Sequence, residues 1–197
     1  FVNQLGGKAI LHHTSSVAVA GEDFAGKFTE DMFDEGQPLK HPYYRTKFQS
    51  EAIVRDECKA PYRIYRPGVV VGSSQTGEMD KIDGPYYFFK TIQKIRDNLP
   101  RWLPLLGLEG GRVPVVPVDY DADAMIAIGH QPGLDNQAFF LIQSNAPTVG
   151  ELMRTIMEAA HGPDIAKSFE LPRLAGPMKG LAEQLAERVP GNLKKRI

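Results

Sequence analysis

The sequence predicts an α/β fold built on a parallel sheet. A buried strand within residues 8–21, a helix over 43–58 and a second strand over 62–72 follow one another along the chain. Strand, helix and strand in this order favour parallel pairing with a right-handed crossover. Hydrophobic residues make up 42 % of the 197 residues and charged residues 24 %, which is typical of a folded globular chain.

Turn residues and apolar runs set the limits of these first elements. The first strand lies in the run KAILHHTSSVAVAG, residues 8–21, where apolar residues lead into a Ser-Ser pair and stop at a glycine. Residues 22–42 are polar and contain several glycines and prolines, which predicts a loop. Pro42 starts the helix, because proline is favoured at the first helical position. In the second strand, YRIYRPGVVVG, the pair Pro67-Gly68 predicts an interruption.

The remaining elements follow from the same patterns of apolar spacing and turn residues. They are a polar loop at 73–85, a helix rich in aromatic residues at 86–98, a strand at 113–118, a helix at 119–130, a strand at 138–144, a helix at 150–160 and an amphipathic helix at 178–189. Thr148 and Glu151 form a capping-box pattern, which predicts where the helix at 150–160 starts.

Charge and cysteine content exclude several classes of protein. The 23 Lys and Arg against 24 Asp and Glu leave a net charge of −1, so no nucleic-acid partner is expected. A single cysteine, Cys58, excludes an internal disulfide framework. No apolar run approaches the roughly 18–20 residues that span a bilayer, although peripheral membrane contact by the basic segment 194–196 stays open. We expect a cytoplasmic protein.

The adjacent histidines His12 and His13 are the first candidates for a metal site. No Asp, Cys or further His lies at metal-binding spacing from them, so we expect no metal. The interpretation we favour is that one of them is buried and the other pairs with polar groups.

Tyr43 and Lys47 are the strongest candidates for catalysis. They are four residues apart on the predicted helix, so their side chains lie on one face, one turn apart. A nearby ammonium group favours the phenolate, which suits tyrosine for proton transfer, and it can also hold a ribose hydroxyl. Ser15 and Ser16 lie at the end of the preceding strand, where α/β sheets place their site residues. A serine hydroxyl there can polarise a carbonyl group.

A second pair, Tyr86 and Lys90, has the same spacing. It follows a polar loop, lies in an aromatic patch and has no strand-end serine at a comparable distance. We therefore favour Tyr43 and Lys47.

Three motifs together resemble the extended short-chain dehydrogenase/reductases. They are SSVAVAG at 15–21, Tyr43-x-x-x-Lys47 and RPGVVVG at 66–72. The segments HPYYRTKFQSEAIVRDEC, TGEMDKIDGPYYFFKTIQKI and GLEGGRVPVVPVDY bring the resemblance closer to the bacterial fatty acyl-CoA reductases and thioester reductase domains. The resemblance covers nearly all of residues 1–150. It implies a Rossmann-like, doubly wound sheet.

The resemblance also implies a role for each matching residue. Ser16 would be the catalytic hydroxyl, Tyr43 the proton donor and Lys47 its electrostatic partner. The residues implied to contact the cofactor are Ser15, Tyr43, Lys47, Pro67, Gly68 and Val69. The residues implied to contact the substrate are Met79, Tyr86 and Tyr87.

The Gly-rich turn between strand and helix that holds the cofactor pyrophosphate in this family is missing from the sequence. We therefore expect residues 1–145 to form the second half of a dinucleotide-binding domain, with a substrate loop and helix at about 73–112. Residues 146–197 would begin a substrate-binding or lid region. On this interpretation the segment alone exposes a sheet edge and does not bind the cofactor.

The function implied by the resemblance is NADPH-dependent reduction of a fatty acyl-CoA to the aldehyde, with further reduction to the alcohol left open. NADPH is preferred to NADH on the resemblance alone. Two alternatives remain at this point. One is an epimerase, dehydratase or alcohol dehydrogenase acting on a nucleotide sugar or a sterol, and the other is a non-catalytic dinucleotide-binding protein. The sequence leaves the oligomeric state open.

Overall fold

The computed structural model describes residues 1–5, 8–80, 86, 89–99, 105–106, 110–163 and 165–166. Its elements in chain order are a 3₁₀ helix (Val2–Leu5), β1 (Leu11–Thr14), a 3₁₀ helix (Val17–Ala20), α1 (Pro42–Glu57), β2 (Tyr62–Pro67), β3 (Val69–Val71), α2 (Phe89–Asn98), β4 (Leu105–Leu106), β5 (Val115–Pro117), α3 (Val118–His130), β6 (Gln137–Leu141), α4 (Val149–Ala159) and β7 (Ile165–Ala166). The helix predicted at 178–189 lies outside the described residues.

Parallel strands form the centre of the fold, which confirms the predicted α/β class. The strands β1, β2 and β6 make a sheet in the order β1-β2-β6, with Thr14 opposite Tyr65 and Tyr65 opposite Phe139. β3 pairs with β5, and β4 pairs with β7, also in parallel. The carboxyl ends of β1 and β2 therefore lie at the same edge of the sheet, where α/β proteins place their ligands.

Helices pack on both faces of the three-stranded sheet. On one face, Val54 of α1 packs with Ile64 and Ala138 in the hydrophobic core. On the other face, Arg63 donates a hydrogen bond to the Ile128 carbonyl oxygen of α3. Neighbouring residues of β2 reach opposite faces because side chains alternate along a strand.

The interruption predicted at Pro67-Gly68 is the point where the chain passes from one sheet to the next. The Gly68 amide donates to the Leu141 carbonyl oxygen at 3.1 Å, and the Val69 amide donates to the Pro114 carbonyl oxygen at 2.8 Å. A Cβ atom on Gly68 would collide with that same Pro114 oxygen. The crossing therefore requires glycine.

The first strand is shorter than the sequence suggests. β1 ends at Thr14, and residues Val17–Ala20 form a 3₁₀ helix. Ser16 caps this helix, since its Oγ accepts a hydrogen bond from the Ala18 amide at 3.2 Å. A serine side chain that bonds to the nearby backbone competes with strand pairing, and this ends the strand.

The helix starts predicted at Pro42 and after Thr148 agree with the structure, whereas the helix predicted at 86–98 begins at Phe89. Pro42 is the first residue of α1. The capping box of α4 is formed: Thr148 Oγ1 accepts from the Glu151 amide at 3.1 Å, and Glu151 Oε2 accepts from the Thr148 amide at 2.8 Å. Within the described part of the chain, none of the helices is both long and apolar enough to cross a membrane.

We expect Gly68→Ala to lower the free energy of unfolding by about 1–3 kcal/mol, because the added methyl group overlaps backbone that cannot move freely. Gly111→Ala is the matched control, since a Cβ atom there meets nothing within 4 Å. Urea unfolding of the full-length protein measures both effects. Equal stability of the two variants would show that the sheet crossing tolerates a side chain.

The buried carboxyl group of Asp121 in α3 should make the stability of the protein depend on pH. It is 6 % exposed, and its Oδ1 has no hydrogen-bond partner among the described residues. Burial raises the pKa of Asp121 to about 6, so the folded protein holds this proton more tightly than the unfolded chain does. The stability that this group contributes is therefore lost as the pH rises through 6.

Asp121→Asn should be more stable than the unmodified protein at about pH 8, and the difference should shrink at about pH 4. Urea unfolding at both pH values measures it. Asp123→Asn, an exposed carboxylate on the same helix, is the control and should show no such trend. A stability difference of the same size at both pH values would contradict the raised pKa of Asp121.

Candidate active site

The start of α1 sets the position of Tyr43. Pro42 occupies the first turn, and His41 caps the helix by accepting a hydrogen bond from the Tyr43 amide on Nδ1 at 3.1 Å. The Tyr43 side chain is 48 % exposed and its ring packs edge-on against Tyr44, with centroids 6.1 Å apart. The phenol therefore stays accessible to a ligand.

Lys47 joins this helix to the end of β1. Its Nζ donates a hydrogen bond to the Thr14 carbonyl oxygen at 3.3 Å. Tyr43 lies one turn before Lys47 on the same face of α1. The bond to Thr14 therefore turns this face toward the residues that follow β1. An ammonium group has three donors, so Lys47 keeps hydrogen-bonding capacity for a ligand.

The two serines after β1 have different partners, which the sequence could not distinguish. Ser15 Oγ donates to Glu51 Oε2 at 2.6 Å, inside the protein. Ser16 Oγ acts as an acceptor for the Ala18 amide, and that bond does not use the hydroxyl hydrogen. Ser16 is therefore better suited than Ser15 to donate to a ligand. The hydroxyl of Ser15, predicted to contact the cofactor, is occupied by Glu51.

Sequence reasoning missed the residue that links these groups, Glu51. Its Oε1 accepts from Arg66 Nη2 at 2.7 Å and from Arg55 Nη2 at 2.8 Å. Burial alone would raise the pKa of Glu51, but hydrogen bonds from Arg66, Ser15 and Arg55 outweigh it and hold that pKa below its usual value. The spacing Tyr43, Lys47, Glu51, four residues apart each time, could have identified it as part of the same face.

Pro67, Gly68 and Val69 lie at the same edge of the sheet as the two serines. The Ser15 amide donates to the Tyr65 carbonyl oxygen at 2.7 Å, which places the residues after β1 beside the end of β2. The amides of Gly68 and Val69 are used by neighbouring strands. The structure thus brings the predicted catalytic and cofactor-contacting segments to one edge.

A cleft of about 310 Å³ opens beyond β3. It is lined by Val70, Val71, Gly72, Glu78, Met79, Asp80 and Val118. Tyr86 supports its wall, because its hydroxyl accepts a hydrogen bond from the Gly72 amide at 2.8 Å. Of the three predicted substrate contacts, Met79 lines this cleft, Tyr86 braces it, and Tyr87 lies outside the described residues.

The two histidines of β1 differ from their expected environment. His12 is exposed, and its Nδ1 lies 2.8 Å from the Tyr65 hydroxyl. His13 is partly exposed, and its Nε2 lies 3.5 Å from Ser50 Oγ. The prediction that one of them is buried is wrong, because β1 is an edge strand of the described sheet and has a neighbour on one side only.

Comparison with protein families gives a match over most of the described chain. A model of an NAD-binding family described as "Male sterility protein" matches residues 1–125. The chain belongs to this family. The resemblance to the extended short-chain dehydrogenase/reductases is thereby confirmed at the level of this NAD-binding family.

A curated relative and several solved structures agree with this family. A non-canonical nonribosomal peptide synthetase from Aspergillus hancockii is 25 % identical over 161 residues, which are 75 % of this chain and 15 % of the relative. The terminal R domain of the myxalamid PKS-NRPS pathway matches with a TM-score of 0.65 and 23 % identity, over 80 % of this chain and 38 % of that one.

A dTDP-glucose 4,6-dehydratase from Bacillus anthracis in complex with NAD matches with a TM-score of 0.55 and 20 % identity, over 83 % of this chain and 50 % of that one. At these identities the solved structures show the fold alone. This chain of the male sterility family spans half or less of the length of these relatives.

We expect Tyr86→Phe to loosen the wall of the cleft, because the Gly72 amide loses its acceptor. Hydrogen exchange of that amide and of residues 73–78 should be faster, and the free energy of unfolding should fall by about 1 kcal/mol. Tyr120→Phe, which removes a hydroxyl from a half-exposed side chain on α3, is the control. Unchanged exchange at Gly72 in Tyr86→Phe would show that the hydrogen bond does not hold the wall.

Proposed function

We propose that the full-length protein uses NADPH to reduce a fatty acyl-CoA thioester to the aldehyde. The observation that carries the proposal is the hydrogen bond from Lys47 Nζ to the Thr14 carbonyl oxygen. It joins the helical face of Tyr43 to the strand end that precedes Ser16. Membership of the male sterility family supports the same chemistry.

The residues proposed to hold the cofactor are Lys47, Tyr43, the main chain of Ser15 and the segment Pro67–Val69. The donor set fits a ribose, because Lys47 is partly exposed and retains N–H groups beyond the one bound to Thr14. When bound, the reduced nicotinamide supplies a hydride to the carbonyl carbon of the substrate. Solved relatives described as complexes with NAD support a dinucleotide of this kind.

The protein groups act on the carbonyl oxygen of the thioester. Ser16 Oγ and Tyr43 Oη donate hydrogen bonds to it and stabilise the negative charge that grows there as the carbon gains the hydride. Tyr43 then gives its proton to this oxygen, and the Lys47 ammonium stabilises the phenolate that remains. When the carbonyl re-forms, the carbon–sulfur bond breaks. The hydroxyl proton passes to the departing sulfur, so that coenzyme A leaves as the thiol, and the Tyr43 phenolate takes up a proton from solvent. The sum is one hydride and one proton added to the thioester, which gives the aldehyde and the thiol.

The cleft at Met79 is the proposed entry for the acyl group. Its walls include the valines of β3 and Val118, which suit a hydrocarbon chain. Tyr86 and Tyr87 complete the proposed substrate contacts. In this proposal residues 1–145 belong to the dinucleotide-binding domain, and residues 146–197 belong to a substrate-binding region.

We expect Tyr43→Phe to lower turnover by on the order of 10²-fold, because the proton donor is lost while the ring remains. The assay is the loss of NADPH absorbance with a long-chain acyl-CoA, using the full-length protein. Tyr44→Phe, the neighbouring tyrosine on the same helix, is the matched control and should keep its turnover.

Equal turnover of the two tyrosine variants would overturn the role of Tyr43. Failure of a folded, NADPH-binding protein to oxidise NADPH with any acyl-CoA would overturn the reductase assignment. It would favour the nucleotide-sugar enzymes among the solved relatives.

A further inference from the structure

Two neighbouring residues at the end of β1 are bound by two residues one turn apart on α1. The Thr14 carbonyl oxygen accepts from Lys47 Nζ at 3.3 Å, and Ser15 Oγ donates to Glu51 Oε2 at 2.6 Å. The packing of Val54 against Ile64 holds the second half of α1 on the sheet, and these two contacts hold the first half. Two contacts one turn apart fix both its rotation and its register.

The Glu51 contact is the more rigid of the two. Glu51 and Arg66 are each 0 % exposed, and Arg66 reaches both carboxylate oxygens, Oε1 at 2.7 Å and Oε2 at 3.2 Å. Arg55 donates to Oε1 through Nε at 2.9 Å and Nη2 at 2.8 Å. A carboxylate that is bound on both oxygens by several donors has little freedom to move.

The same cluster also reaches the loop that leads into α1. Arg66 Nη2 donates to the Met32 carbonyl oxygen at 2.9 Å, and Nη1 donates to that of Thr29 at 3.4 Å. The Arg66 guanidinium also lies over the Phe28 and Phe140 rings, 5.5 and 5.2 Å from their centroids. The strand, the loop and the helix that surround Tyr43 are thus all attached to one buried ion pair.

We propose that Glu51 is a positioning residue that sets the placement of Tyr43 and Lys47 relative to Ser16. It acts through Ser15, whose hydroxyl it binds, and through the helical face that it shares with the candidate catalytic pair. The first serine of the pair then serves as the anchor, and the second remains free to bind substrate. This inference rests on the proposed function of Ser16, Tyr43 and Lys47.

The test compares two variants that weaken this attachment with one that neutralises the partly exposed partner of another buried arginine. Ser15→Ala removes only the hydroxyl that links β1 to Glu51. Glu51→Gln keeps the side-chain volume but leaves Arg66 without its counter-ion. Asp135→Asn is the matched control, because it removes the partner of Arg63, another buried arginine of β2 that faces the opposite side of the sheet, at 2.9 Å.

In the full-length protein we expect kcat to fall about 10-fold in Ser15→Ala and on the order of 10²-fold in Glu51→Gln, because a small misplacement of the catalytic groups strongly lowers the rate of the chemical step. KM for NADPH should change by less than about twofold in Ser15→Ala, as expected for lost alignment rather than lost binding. Asp135→Asn should keep kcat, even though its unfolding midpoint falls.

Hydrogen exchange gives a readout that does not depend on turnover. In Ser15→Ala, exchange should be faster in residues 14–18 and 42–47 and unchanged in α4, whose capping box lies elsewhere. Ser15→Ala folds even if Glu51→Gln does not, because Arg55 and Arg66 still neutralise the carboxylate.

Each result separates the two proposals. Suppose that Tyr43→Phe loses turnover while folded Ser15→Ala and Glu51→Gln keep the kcat of the unmodified protein. This result would overturn the positioning role of Glu51 and leave the proposed function intact. Absence of turnover in the unmodified protein would overturn the proposed function. In that case unchanged exchange at residues 14–18 and 42–47 in Ser15→Ala would overturn the positioning role as well, and faster exchange would support it.

Discussion

The candidate site depends on the burial of one charged group, the Glu51 carboxylate, which has no access to solvent. An unpaired ion in this position would cost several kcal/mol, so Glu51 and Arg66 tolerate burial only when they are bonded to each other and to further partners. Those partners come from β1, α1 and the loop before α1. The chain can therefore bury this pair only by bringing the strand end and the helix into one arrangement.

The crossing between the sheets determines what lies beyond this arrangement. Since the chain leaves β2 at Pro67 and enters β3 at Val69, one segment contacts both β6 and the residue before β5. The candidate cofactor-contacting residues Pro67–Val69 therefore lead directly into the end of β3, where Val70 and Val71 line the cleft.

The sequence was informative wherever a local pattern determines the structure. The order of strand and helix, the capping box of Thr148 and the shared face of Tyr43 and Lys47 all depend on residues close together in the chain, and the first two are confirmed by the structure. The different roles of Ser15 and Ser16 depend on Glu51, which is 36 residues from Ser15, and on Arg66, which is 15 residues from Glu51. The exposure of His12 depends on the position of β1 in the sheet. Such contacts across the fold leave no local pattern to find.

In the proposed function, this site passes a hydride to the carbonyl carbon of a thioester. The most direct test supplies the full-length protein with a long-chain acyl-CoA and NADPH that carries deuterium at both hydrogen positions of nicotinamide C4, and follows the product by mass spectrometry. We expect an aldehyde, or the alcohol derived from it, with deuterium on the former carbonyl carbon. A folded protein that binds this NADPH but transfers no deuterium to the acyl group would rule out the proposed hydride transfer.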